Sequence, residues 1–253
     1  MTKPVKKIVA IGGGEIRDSE TLAIDKEIIR LTQKKRPKLL FIPTASSDSE
    51  DYYKCVDDYF GKKLGCKTDV LYLLNKTPSP KDIRDKILGS DIIYVGGGNT
   101  LKMMKLWRRL GVDSILKTAW QKGIVLCGLS AGSICWFDSG HSDSMSFYNP
   151  KKWKYINVSG LGFIKGIHCP HYDSETLGVS RKTHFSNMIQ KISGIGIAID
   201  ENCAIEFLDD QYRVITSKKS AKAFRVYKKD GKVISKKIEQ TNKLMPIATL
   251  YER

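Results

Sequence analysis

Short apolar runs recur along the chain, each followed by a stretch in which apolar positions return every three or four residues. The runs are "KKIVAIG" (6–12), "KLLFIP" (38–43), "TDVLYLL" (68–74), "DIIYVGGG" (91–98) and "GIVLCG" (123–128). Amphipathic stretches lie between them at about 19–34, 49–64, 79–89 and 99–121. This alternation predicts βαβ units and a parallel sheet. Strands that are apolar almost throughout fit a sheet covered on both faces. Further strands are expected at 164–169 and 195–199, with a helix over 174–191 between them. From Cys203 the pattern changes, and "CAIEFLDDQYRVITSKKSAKAFRVYKKDGKVISKKI" reads as antiparallel strands joined by Asp-Asp, Lys-Ser and Asp-Gly turns. The expectation is one α/β domain over 1–253: a mainly parallel sheet with helices on both faces, followed by a C-terminal antiparallel β-meander.

Composition narrows the class. Of 253 residues 41% are hydrophobic and 28% charged, so the chain has the makings of a packed core. The net charge of +16 raises the question of a nucleic-acid partner. The lysines are dispersed over "QKKRPK", "YKKDGK" and "SKKIEQ", at helix ends and turns, without an arginine stripe interleaved with aromatics. A solvated basic surface is expected, with no nucleic-acid partner. No segment approaches the roughly 18 apolar residues of a membrane span. The first apolar run reads as a strand and not a signal peptide, which predicts a cytoplasmic protein without membrane attachment. Cys55, Cys66, Cys127, Cys135, Cys169 and Cys203 form neither C-x-x-C pairs nor a zinc-like cluster, so they read as reduced packing thiols, and neither metal nor cofactor is expected.

Parallel α/β sheets hold ligands beyond the carboxyl ends of their strands. That rule selects Gly12–Glu15, Thr44–Ser47, Gly96–Thr100, Gly128–Gly132, His171 and Glu201. The segment "IVLCGLSAGSICW" (124–136) places a serine between two glycines where a strand gives way to a helix. Such G-x-S-x-G turns present a nucleophile, and the helix that follows offers backbone N–H groups to an oxyanion, Ala131 among them. Ser130 is the candidate nucleophile, and Ser133 lies inside the helix. Of the four histidines, His171 in "CPHYDSE" follows a strand end and is favoured as base. His141 is second, and His168 and His184 read as strand and helix residues. Glu201, Asp143 and Asp173 all qualify by position as the acid that orients the base. "VGGGNT" supplies a second glycine turn, with Asn99 or Thr100 as a possible helix cap. "IGGGEIRD" lacks the last glycine of a dinucleotide fingerprint, since Arg17 occupies that position.

In this order, "IVAIGGGEI", "LLFIPTAS", "IIYVGGGNT", "GLSAGS" and "CPHYDSE" resemble the peptidase E family of serine peptidases, which includes aspartyl dipeptidase and cyanophycinase relatives, over roughly residues 6–205. The resemblance implies a fold akin to class I glutamine amidotransferases, with serine in place of the cysteine nucleophile. It implies Ser130 as nucleophile, His171 as base, and Gly98 and Ala131 as oxyanion donors. Glu201 matches the acid after the last parallel strand, and Asp143 is the nearest match to a second acid that the family carries after the elbow. It further implies preference for aspartate before the scissile bond. Arg181 resembles a family arginine near the pocket, with Asn99 also at the substrate. The segment 138–160 departs from the compact dipeptidase pattern.

The resulting expectation is a serine exopeptidase for short peptides, with a small peptide as its partner and a monomeric or homodimeric state. The alternative is a noncatalytic small-anion-binding protein on the same fold. A glutamine amidotransferase is disfavoured because Ser130 holds the nucleophile position and Cys127 precedes the turn.

Overall fold

The computed structural model describes residues 3–176, 178–192 and 194–252. Its first part alternates as expected: β1 (Lys7–Ile11), α1 (Leu22–Arg30), β2 (Lys38–Ile42), α2 (Glu50–Val56), β3 (Lys67–Val70), α3 (Pro80–Leu88), β4 (Ile92–Val95), α4 (Thr100–Leu110), α5 (Val112–Gln121), β5 (Val125–Leu129) and the single turn α6 (Ala131–Ile134). There follow β6 (Phe137–Ser142), β7 (Ile156–Ser159), β8 (Ile164–Cys169), β9 (Glu175–Thr176), β10 (Val179–Ser180), α7 (Arg181–Lys191) and β11 (Ile195–Ile199). The chain closes with β12 (Cys203–Leu208), β13 (Gln211–Thr216), β14 (Ala223–Lys229), β15 (Lys232–Ile238) and β16 (Met245–Pro246).

Eight strands form one sheet in the order β16-β13-β12-β1-β5-β4-β2-β3, and its five members from β1 to β3 run parallel. Why the strands read as unbroken apolar runs is visible in where alternate residues go. Val9, Ile11, Ile92, Tyr94, Val125 and Cys127 pack on one face with Ile24 and Ile28 of α1 and Val56 of α2. Ile8, Ala10, Ile93, Val95 and Leu126 pack on the other with Met103, Met104 and Trp107 of α4 and Leu116 of α5. With both faces covered, the two-residue strand period carries no polar side, and each buried Ile or Val contributes about 1.5–3 kcal/mol.

Three expectations need correction. The helix expected over 99–121 breaks at Gly111, whose φ of 70° ends α4 in the left-handed conformation before α5 starts. The helix expected over 174–191 begins only at Arg181, because the β9-β10 hairpin occupies the chain before it; position 177 lies outside the described residues. The terminal strands are not one meander. β12 and β13 extend the first sheet, whereas β14 and β15 join a second one, ordered β15-β14-β11-β8-β6-β7, in which β6, β8 and β11 are parallel. Phe137, Ile164, Ile197, Ile199 and Tyr227 of this second sheet bury themselves against the same apolar layer as Ile8 and Leu126. The chain therefore crosses between sheets, first through Ser130 and α6, and again through Asp200–Asn202.

Candidate active site

β5 lies between β1 and β4 with all five residues buried, and the chain must turn sharply where it leaves them. A Cβ at Gly128 would lie 2.5 Å from the Val95 carbonyl oxygen, and one at Gly132 only 2.1 Å from it, so both flanking residues must be glycine. Ser130 itself takes φ 55° and ψ −116°, a conformation that costs a non-glycine residue about 1–3 kcal/mol. It is held there by its N–H, which donates to Ile11 O (3.3 Å), and by its carbonyl, which accepts from Ser133 N, Ile134 N (both 3.0 Å) and Ser133 Oγ (2.8 Å). Its side chain is left half-buried at the sheet end. α6, only four residues long, offers the Ala131 N–H at its first position, where no intrahelical acceptor exists.

The carbonyls at the end of β1 collect the other parts. Gly12 O accepts from His171 N at 3.0 Å and Gly13 O from Asn202 N at 2.9 Å. Three successive peptide groups thus anchor Ser130, His171 and the neighbour of Glu201. His171, like Ser130, is left-handed, at φ 50°, and Asn202 likewise at 59°. The imidazole lies over Gly13, where a Cβ would come within 2.4 Å of Nδ1. His171 Nδ1 donates to Glu201 Oε1 at 2.9 Å, and this hydrogen bond holds the Glu201 carboxyl below its ordinary value. Asp173 does not reach the imidazole; its Oδ1 accepts from the Glu201 backbone N–H at 2.9 Å and so fixes the loop that carries the acid.

The second glycine turn packs against the elbow. A Cβ at Gly97 would be 3.3 Å from Ser130 Cβ, and one at Gly98 would strike the Ala45 carbonyl oxygen at 2.3 Å. Gly98 has φ 131°, open to glycine alone. Asn99, expected at the substrate, is spent on the fold. Its Oδ1 caps α4 by accepting from Lys102 N (3.0 Å), its Nδ2 donates to Ser144 O (3.4 Å), and it is 4% exposed.

Asp143 is not on His171 either. Its carboxylate sits 3.6 Å from Arg181 Nη1, and the Arg181 guanidinium is buried beneath the Tyr155 ring at 4.9 Å, with Nη2 donating to His141 O (3.2 Å). Arg181 Nε is buried without a hydrogen-bond partner. Two of the remaining histidines lie in the core. His141 and His168 are fully buried, and desolvation lowers them to about 2 and about 3. Ser133 Oγ and His168 Nε2, at 2.8 Å, resemble a catalytic pair, but Nδ1 of that ring donates to the Ile197 carbonyl and the pair is sealed from solvent. His184 is half-buried against Tyr155.

Among the described residues no three His, Cys, Asp or Glu side chains come together as a metal cluster, no helix is long and apolar enough to cross a membrane, and all six cysteines are free. Sequence reasoning missed the packing duty of the "IGGG" turn. Its signal was the run of glycines, but the groups those glycines make room for come from residues 171 and 200–202.

The family model of Peptidase family S51 matches residues 8–215. The chain belongs to this family. It is 36% identical over 225 residues to the uncharacterized peptidase YgaJ of Bacillus subtilis, an alignment that spans 88% of this chain and 92% of the relative. An uncharacterized peptidase of Listeria monocytogenes is 28% identical over 153 residues, 60% of this chain and 70% of the relative. In fold it resembles a peptidase from an acI-B1 Actinobacterium (TM-score 0.68, 19% identity, 96% of this chain and 97% of the other). It also resembles a putative peptidase E protein of Listeria monocytogenes (TM-score 0.63, 19% identity, 84% and 98%). As an S51 peptidase the chain is a serine peptidase, and the peptidase E resemblance of its motifs holds.

Proposed function

We propose that this S51 peptidase is an exopeptidase of short peptides, chiefly dipeptides with an N-terminal aspartate, and that Ser130, His171 and Glu201 form its catalytic triad. The observation that carries the reading is a strained, half-buried Ser130 and a His171–Glu201 pair at 2.9 Å, with Ser130, His171 and Asn202 anchored on the successive carbonyls of Ile11, Gly12 and Gly13.

In this scheme Ser130 Oγ adds to the peptide carbonyl carbon while its proton passes to His171 Nε2, and Glu201 keeps the Nδ1 proton and the ring orientation. Negative charge then grows on the carbonyl oxygen and meets the N–H groups of Gly98 and Ala131. Breaking of the C–N bond transfers the proton from His171 to the leaving amine and leaves an acyl ester on Ser130. Water, deprotonated by His171, adds to that ester; the ester bond breaks, the acid leaves and Ser130 regains its proton.

The aspartate preference is supported by Arg181, whose guanidinium, among the described residues, faces one carboxylate, Asp143, at 3.6 Å, and whose buried Nε has no hydrogen-bond partner. Ser130→Ala is expected to lower kcat by about 10³-fold or more without loss of fold, and to abolish labelling by a fluorophosphonate. Asp-X dipeptides should be cleaved well ahead of Asn-X, and Arg181→Ala should lose that preference. Normal turnover of Ser130→Ala would overturn the mechanism, and equal cleavage of Asp-X and Asn-X would overturn the specificity alone.

A further inference from the structure

The second sheet, the loop before β7 and α7 line a cavity of about 480 Å³, within the usual range for small-molecule sites. Neither Ser130, His171, Glu201 nor Gly98 lines it. Its walls are aromatic and apolar. Tyr155 is the hub, stacked on His141 at 3.9 Å, edge-on to Trp153 at 4.9 Å and against His184 at 5.0 Å, with Met188 opposite.

Polar side chains also line the cavity, Asn157, Thr176, His184 and Asn187 beside His141, and its charged lining residues are both lysines. His141, fully buried, lines it, and its Nε2 has no hydrogen-bond partner; Nδ1 faces Cys169 Sγ at 3.7 Å. The exposed lysines at the rim are Lys154 and Lys191, and among the described residues no Asp or Glu lines the cavity to balance them. An apolar chamber ringed by flat side chains selects a flat apolar group, and an uncompensated cationic rim selects an anion.

We infer that this cavity, which Ser130, His171 and Glu201 do not line, is a second binding site for a small aromatic carboxylate: one or two fused rings between Trp153, Tyr155 and Met188, and the carboxylate at Lys154 and Lys191. The inference does not rest on the proposed triad or on aspartate specificity.

Indole-3-acetate is the probe, titrated into the full chain by calorimetry, with indole-3-acetamide as its uncharged counterpart. Saturable one-to-one binding in the millimolar range or tighter is expected, weaker by about tenfold or more for the amide and for Lys154→Glu/Lys191→Glu. These lysines are exposed and their replacement leaves the core intact. Met188→Trp should fill the chamber and abolish binding while fluorophosphonate labelling continues. Binding should also survive complete fluorophosphonate modification of Ser130. No saturable binding of indole-3-acetate, equal binding of acid and amide, or loss of binding once Ser130 is modified would each overturn the inference.

Discussion

Gly13→Ala adds one methyl group to a residue that takes no part in chemistry, yet it should disable the enzyme. Gly13 is not among the residues with positive φ, so alanine suits its backbone and the perturbation is the methyl alone. The new Cβ would stand 2.4 Å from His171 Nδ1, 2.5 Å from Cε1 and 3.3 Å from Glu201 Cγ, where ordinary contact begins near 3.4 Å. The imidazole must retreat by about 1 Å, and it cannot do so by moving its backbone, which is tied to Gly12 O and Ser174. It must rotate instead, away from the 2.9 Å contact with Glu201. A displacement of about 1 Å in a catalytic group costs about 10²-fold in rate, or about 2.7 kcal/mol of transition-state stabilisation. The measurement is kcat/KM on a cleaved peptide, paired with the rate of fluorophosphonate labelling, while near-ultraviolet circular dichroism and Tm establish that the fold persists. A folded Gly13→Ala variant within about threefold of wild type in both rates would refute the reasoning, because the ring would then have room the structure denies it.

Glu201→Gln should lower kcat by about 10²-fold or more, whereas Asp143→Asn should leave kcat within about threefold, since its carboxylate serves Arg181; the two single variants on one substrate decide between the acids. Asp25 offers a stability test away from the site. It is fully buried, accepts hydrogen bonds from Thr21 and Tyr59 on one oxygen, and desolvation raises it from 3.8 to about 7. Between those values the folded chain keeps a proton that the unfolded chain has released, so this group's contribution to stability falls as pH rises from about 4 to 7, by up to about 4 kcal/mol. Asp25→Asn should remove that slope, and urea unfolding at pH 4.5 and 7.5 checks it: an unchanged difference from wild type at the two pH values would refute the assignment.

Much of the parallel sheet was legible because burial on both faces writes itself as unbroken apolar strands, and the elbow because two glycines flank one serine at a strand end. The break at Gly111 was missed, because a continuous amphipathic pattern on either side masks it. The division into two sheets was not legible: Ile164, Ile195 and Ile197 would look the same whichever sheet they joined. Local pattern offered Asn99 as a cap for α4, but could not tell that its Nδ2 also reaches Ser144 O, or that the first residue of α7, Arg181, is buried under Tyr155. The space above Gly13 was beyond reach for the same reason, since its occupants come from some 160 residues further along the chain.

The flanking of β1 by β5 on one side and by β12 on the other, with Lys7 opposite Leu208, sets the order in which the protein can become active during its synthesis. β1 leaves the ribosome early, but the neighbour on its second edge and the loop that carries Glu201 leave only after most of the chain has been made. Until then Ser130 lacks the residue proposed to orient its base. On the proposed triad a nascent chain is inert, and its activity switches on with the same pairing that closes the last open edge of its first strand.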